Sequence, residues 1–177
     1  MKYVALLRGI NVGKSVQIPM VTLKAHFEEI GIPRVTTYLN TGNVIFESEN
    51  EGSILQRLIE DKLINIYGQR VPTLVKTALE ISSISKSIPA EWGSNETEQT
   101  YVAYLFKEVA RSELVNELPV RKEFMTIFYA HESIVWNIKR ENYNRSHITK
   151  IAEHPAYGFM TTRNVNTARK LAELCDN

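Results

Sequence analysis

Apolar positions along the chain fall into short blocks whose spacing alternates between two periods, and the changes of period mark the elements. Residues 3–7 form a continuous apolar run that stops at Arg8-Gly9, as a buried strand does. Met20, Leu23, Phe27 and Ile30 then recur at helical spacing behind Pro19, a favoured first-turn residue, with Gly31 and Pro33 as the stop. Two β-rich runs at 35–39 and 44–46 flank Asn40-Thr41-Gly42-Asn43, which reads as a hairpin turn. Ile54, Leu55, Leu58, Ile59, Leu63 and Ile66 make the next helical stripe, closed by Gly68. A fourth strand spans 71–76, and its Pro72 places it at a strand start or a sheet edge. The order is βαββαβ.

The pattern then repeats. A short helix is expected after Thr77, its candidate cap, with Leu79, Ile81 and Ile84 as the apolar face; 85–100, holding Pro89 and Gly93, reads as a linker. A strand at 101–106 is followed by a short helix at 112–118 that Pro119 ends, and by strands at 124–130 and 133–138 joined at His131-Glu132. A helical segment near 146–153, a short strand at 159–162 and a closing helix from 165 to 175, facing Ala168, Leu171, Ala172 and Cys175 inward, complete the chain. The expected fold is α+β, two tandem ferredoxin-like (βαββαβ) subdomains with antiparallel sheets at 1–77 and 101–177. A helix and linker at 78–100 separate them, and a C-terminal helix closes the second. The halves share a pattern and no residue-level identity.

Composition adds exclusions. Hydrophobic residues at 44% and charged residues at 23% are ordinary for a globular protein, and no apolar stretch reaches the ~20 residues of a membrane span. Arg8 interrupts the opening apolar run, so no secretory signal is expected, and the single Cys175 fits a reducing compartment; the cytoplasm is the expected location. Residues 139–177 carry seven Lys/Arg against four acids, the remainder fourteen against sixteen, a bias too mild to argue for nucleic acid by itself. Only Asp61 and Asp176 are aspartates, and neither lies near a promising loop. Chemistry built on aspartate as Mg²⁺ ligand or nucleophile is thereby set aside.

The loop after the first strand comes close to a phosphate-binding motif. A P-loop needs Gly, four residues, then Gly-Lys-Ser/Thr at a helix start. Here Gly9 and Gly13 enclose three residues, Arg8 stands where the first glycine belongs, and the helix starts well after Lys14-Ser15. The P-loop is rejected. What survives is an anion-binding nest of Arg8, Asn11, Lys14 and loop amides, with a glycine-rich turn bearing solvated side chains as the plainer alternative.

Residues 3–13, Tyr-Val-Ala-Leu-Leu-Arg-Gly-Ile-Asn-Val-Gly, strongly resemble the domain-of-unknown-function family 1697. The stretches 37–46 (Thr-Tyr-Leu-Asn-Thr-Gly-Asn-Val-Ile-Phe) and 161–171 (Thr-Thr-Arg-Asn-Val-Asn-Thr-Ala-Arg-Lys-Leu) support the likeness. The resemblance implies a cytoplasmic bacterial protein of two ferredoxin-like subdomains and brings no established activity, cofactor or catalytic residue. Similar members often have Gly-Gly in place of Gly13-Lys14, Ser at Thr41 and Trp at Val165, so Lys14 is not carried over as a family-wide functional residue.

The three stretches hold donors and small polar groups: Arg8 and Asn11; Thr41, Gly42 and Asn43; Thr162, Arg163, Asn164, Asn166 and Thr167. None carries a carboxylate, histidine or cysteine, which suits holding an anion and suits proton transfer poorly. Asn164 is a candidate cap, and the helix start behind it favours negative charge. The leading expectation is a phosphate- or carboxylate-bearing ligand bound between the Arg8 loop and the Arg163 helix start, at the junction of the halves. In the plainer alternative, Asn164 only caps, Arg163 pairs with a glutamate and 40–43 only turns. No cofactor is expected. His26, His131, His147 and His154 lack metal spacing and read as surface residues, and Cys175 reads as a buried apolar residue. Trp92 falls in the linker as an anchor, and Trp136 alternates into the core.

A rival reading is RNA binding, because RNA-recognition sheets share the topology, with 139–147 as the best basic-aromatic patch. Residues 42–46 echo only the skeleton of the required aromatic run. A third is a structural or dimerisation module without ligand. Neither reaction nor oligomeric state is legible.

Overall fold

The opening apolar run becomes β1 (Lys2–Leu7), an inner strand of a four-stranded antiparallel sheet ordered β2-β3-β1-β4 in the computed structural model, which describes residues 1–176. Its partners are β2 (Thr36–Tyr38), β3 (Asn43–Glu47) and β4 (Thr73–Thr77), with helices α1 (Met20–Glu29) and α2 (Gly52–Tyr67) in the connections. Alternate residues Tyr3, Ala5 and Leu7 of β1 and Val44 and Phe46 of β3 join Leu23 and Phe27 of α1 and Leu55, Ile59 and Leu63 of α2 in one core. Each Val, Leu, Ile or Phe side chain among them contributes about 1.5–3 kcal/mol on leaving water. Gly68 ends α2 at φ 67°, its N–H donating to Ile64 O at 2.9 Å.

The stripe on α2 is narrower than expected. Leu55, Ile59 and Leu63 follow a spacing of four and are buried, whereas Ile54 is 48% and Leu58 39% exposed. A helix covered on one side hides one row, and residues one position earlier lie ~100° round its surface.

The edge strand β4 runs straight into α3 (Ala78–Ser87). Thr77 Oγ1 accepts from Glu80 N at 3.2 Å while Glu80 Oε2 accepts from Thr77 N at 2.7 Å, a capping box. Burial pushes the Glu80 carboxyl up, but the Thr77 hydrogen bonds and the Lys76 ammonium outweigh it and hold it below its ordinary value. Leu79, expected inside, is 76% exposed; Ile81 and Ile84 are buried.

The second sheet repeats the order. β5 (Glu98–Leu105), β6 (Thr126–Ala130), β7 (Ser133–Lys139) and β8 (Met160–Asn164) are arranged β6-β7-β5-β8. In each sheet the strands thus lie second, third, first, fourth. The helical connections are reduced. α4 (Leu114–Glu117) is a single turn where 112–118 was expected, and Ile148–Glu153 and Pro155–Phe159 are 3-10 turns. His131 and Glu132, at φ 47° and 57°, supply the two positive values of a tight hairpin.

The linker expected to reach residue 100 ends earlier, because β5 begins at Glu98. Polar identity hid this. Asn137 on β7 donates to Glu98 Oε2 at 2.7 Å and to Thr100 Oγ1 at 2.8 Å, so cross-strand hydrogen bonds let these side chains enter a sheet. Trp92 lies against Phe128 with ring centroids 5.8 Å apart.

The chain divides into two compact units, Met1–Ser82 with the end of the chain from Leu171, and Ser83–Lys170. The closing helix α5 (Val165–Asp176) belongs in part to each, and Lys2 Nζ donates to Cys175 O at 3.1 Å. Burial pushes the Cys175 thiol up to about 11. The architecture is mixed α+β, two four-stranded antiparallel sheets and a C-terminal helix. Among the described residues no helix is long and apolar enough to cross a membrane.

Candidate functional site

Two of the stretches singled out in the sequence meet in the first unit. Leu7 N donates to Gly42 O at 2.8 Å and Arg8 N to Pro72 O at 2.8 Å, so the end of β1 is tied to the hairpin turn on one side and to the start of β4 on the other. Beyond it the loop is shaped by Asn11, held at φ 57°. Asn11 Nδ2 donates to Ile18 O at 2.9 Å and to Asn40 O at 2.8 Å, and Asn11 Oδ1 accepts from Ile18 N at 2.7 Å. One amide thus closes its own loop and joins it to the turn.

The turn is equally committed. Asn43, fully buried, donates through Nδ2 to Tyr38 O and to Thr41 Oγ1, both at 2.9 Å. Gly42 stands at φ 77°, and a Cβ there would lie 2.7 Å from Leu7 Cβ and 2.9 Å from Ile10 Cδ1. Leu39 holds φ 55°, a conformation that costs a branched residue of order 1–2 kcal/mol and persists only when its surroundings impose it. Lys14 projects exposed from the loop and makes no ion pair among the described residues, while Arg8 is half-buried.

The remaining expected residues sit at the β8–α5 junction of the second unit. Arg163 is 7% exposed, and its Nη1 donates to Thr161 Oγ1 and Thr162 O, both at 2.9 Å. Burial lowers its pKa to about 10, with the Tyr104 hydroxyl acting the other way; the guanidinium stays charged at neutral pH but at a desolvation cost. Asn164 Oδ1 accepts from Asn166 N at 2.8 Å, the bond of a helix cap, and its Nδ2 donates to Ser94 Oγ at 2.8 Å. Asn166 is exposed and Thr167 buried.

The histidines divide. His131 is exposed, but His26, expected at the surface, keeps only 12% of its side chain accessible and meets Tyr67 Oη through Nε2 at 2.9 Å. No group of three metal-ligating side chains occurs among the described residues.

Sequence reasoning missed one feature. The second unit holds a cavity of about 240 Å³, floored by Tyr101 and Trp136 and reached by Gln99. The signal was present, two aromatics that register pairs across β5 and β7, but Trp136 read as core and Gln99 as linker.

The model of the family described as "Protein of unknown function (DUF1697)" matches residues 1–136. No curated protein matches the chain. Among solved structures, the conserved bacterial protein SP0830 from Streptococcus pneumoniae is similar over 99% of this chain and 98% of its own, with 22% identity and a TM-score of 0.84. That likeness concerns the fold.

Proposed function

We propose that this chain, which belongs to the DUF1697 family, binds a small phosphate- or carboxylate-bearing ligand through its Arg8 loop. The observation that carries the reading is the anchoring of that loop. Asn11 and Asn43 spend their amides on backbone and turn, so the loop is held in one shape, with the cationic Lys14 exposed upon it. A rigid, donor-bearing loop has little ordering entropy left to lose when an anion arrives. In this reading Asn11, Asn43 and Asn164 are framework; Arg8 and Lys14 supply charge, and Thr41 belongs to the turn to which Asn11 ties the loop. Arg163, which donates to Thr161 Oγ1 and Thr162 O, is a second cation just ahead of the helix start that carries the backbone of Asn166 and Thr167. The ferredoxin-like assignment of each half belongs to the same proposal, supported by the second-third-first-fourth strand order of both sheets.

An RNA-recognition sheet reads bases on an open face. Here Val102, Tyr104 and Val135 are fully buried, which closes that side of β5 and β7 to stacked bases.

The test is a thermal-shift screen of inorganic phosphate, pyrophosphate, nucleotides, sugar phosphates and dicarboxylates on the wild type, Arg8→Ala, Lys14→Ala and Arg163→Ala. A ligand at a hundred times its Kd stabilises by about 2.7 kcal/mol. The expected result is a shift that Arg8→Ala abolishes while its unliganded melting point stays near wild type. A wild type indifferent to every anion, or a shift intact in Arg8→Ala, ends the proposal.

A further inference from the structure

Each sheet carries the same aromatic pair at the same place. In the first, Tyr3 on β1 registers with Phe46 on β3, rings stacked at 5.8 Å and 24°. In the second, Tyr101 on β5 registers with Trp136 on β7, rings stacked at 6.0 Å and 26°. The positions correspond, because the next residues pair alike, Val4 with Lys76 and Val102 with Arg163.

The two pairs meet different fates. Tyr3 and Phe46 are 4% and 1% exposed in the core that the sixteen-residue α2 helps to build, and Tyr3 Oη donates to Asn50 O at 3.0 Å. Over the corresponding face of the second sheet lie short 3-10 turns, and a cavity of about 240 Å³ remains above Tyr101 and Trp136. Ile148 and Ile151 wall it, and Tyr143 and Tyr157, 39% and 41% exposed, stand at its rim.

Gln99 gives the cavity its chemistry. It is 8% exposed and lines the cavity, and its amide makes no side-chain hydrogen bond among the described residues. The amide atoms are not sealed from solvent but open to the cavity, where a ligand can reach them. No charged side chain lines the space. We infer that this cavity binds one uncharged heteroaromatic ring with adjacent hydrogen-bond donor and acceptor, the edge of a purine or pyrimidine base. The ring stacks on the Tyr101–Trp136 floor, and Gln99 pairs with its edge as glutamine amides pair with adenine. The volume lies just under the ~300–1,000 Å³ of sites for drug-sized ligands, enough for one ring system and too little for a dinucleotide. A phosphate on the ligand stays outside. The inference does not depend on the Arg8 site.

The test reads Trp136 fluorescence in a Trp92→Phe background, which leaves one tryptophan, during titration with adenosine, guanosine, cytidine, uridine and nicotinamide, with toluene as apolar control. The expected result is saturable quenching by at least one heterocycle. Gln99→Leu and Tyr101→Leu should each weaken it about tenfold or more, and Arg8→Ala should leave it unchanged. Circular dichroism checks the fold. Should Gln99→Leu not fold, Gln99→Asn, which withdraws the amide by one methylene, and the rim variant Tyr143→Ala decide the question, each expected to weaken binding several-fold. No quenching that saturates below about 10 mM, equal affinity in the Gln99 variants, or toluene binding as tightly as the heterocycles overturns the inference. So does binding only of oligonucleotides with a steep loss in salt.

Discussion

Replacing Gly42 with alanine should cost the fold far more than one methyl group normally does. The new Cβ would lie 2.7 Å from Leu7 Cβ and 2.9 Å from Ile10 Cδ1. The Ile10 methyl can swing away, but Leu7 Cβ is fixed to β1, whose N–H donates to Gly42 O, so relief requires moving backbone. Overpacking of this kind costs about 1–3 kcal/mol, and alanine at φ 77° adds about 1–2 kcal/mol of left-handed strain. The expected loss is therefore about 2–5 kcal/mol. Gly68→Ala supplies the control, because Gly68 shares the left-handed backbone at φ 67° but a Cβ there meets nothing within 4 Å. It should lose only the strain. Urea midpoints at unchanged m-value measure both, and each kcal/mol should appear as about 2–4 °C in Tm. If Gly42→Ala proves no worse than Gly68→Ala, the close packing of turn against loop is not what the glycine serves.

Asn11→Ala removes three hydrogen bonds and a residue suited to positive φ, so urea unfolding should show a loss of about 2–4 kcal/mol, with the Ile18 amide proton gaining faster hydrogen exchange. Glu80→Gln tests the capping box through pH. Because the folded carboxyl is held below its ordinary 4.5, its stabilisation is present above that value and is lost as pH falls through the folded pKa. The wild type should therefore lose more stability than Glu80→Gln between pH 5 and the acid limit of its fold, read as urea midpoint against pH; parallel curves would refute the linkage.

Legibility in the sequence followed the range of the interaction. Gly68 as a stop, Pro19 as a helix entrance and Pro72 beside an edge strand are local rules, and the structure obeys them. Thr77 and Asn164 as caps were readable because their partners lie two or three residues away. Glu98 to Thr100 was missed because what draws polar residues into β5 is Asn137, up to 39 positions distant. The same holds for function. Arg8, Asn11 and Asn43 stood out by residue type, yet the framework role of Asn11 depends on Asn40 O, 29 residues on. The Tyr101–Trp136 floor needed a strand register before it could be recognised.

The tail of the last helix has a consequence for biogenesis. Lys2 finds its acceptor at Cys175, a separation of 173 residues, within a unit whose other strands leave the ribosome early. Domains ordinarily acquire structure from the N-terminus as they are made, but this bond can form only after a segment translated behind the entire second sheet has emerged. Until then the Lys2 ammonium lacks that acceptor, and the first strand must form without this tie.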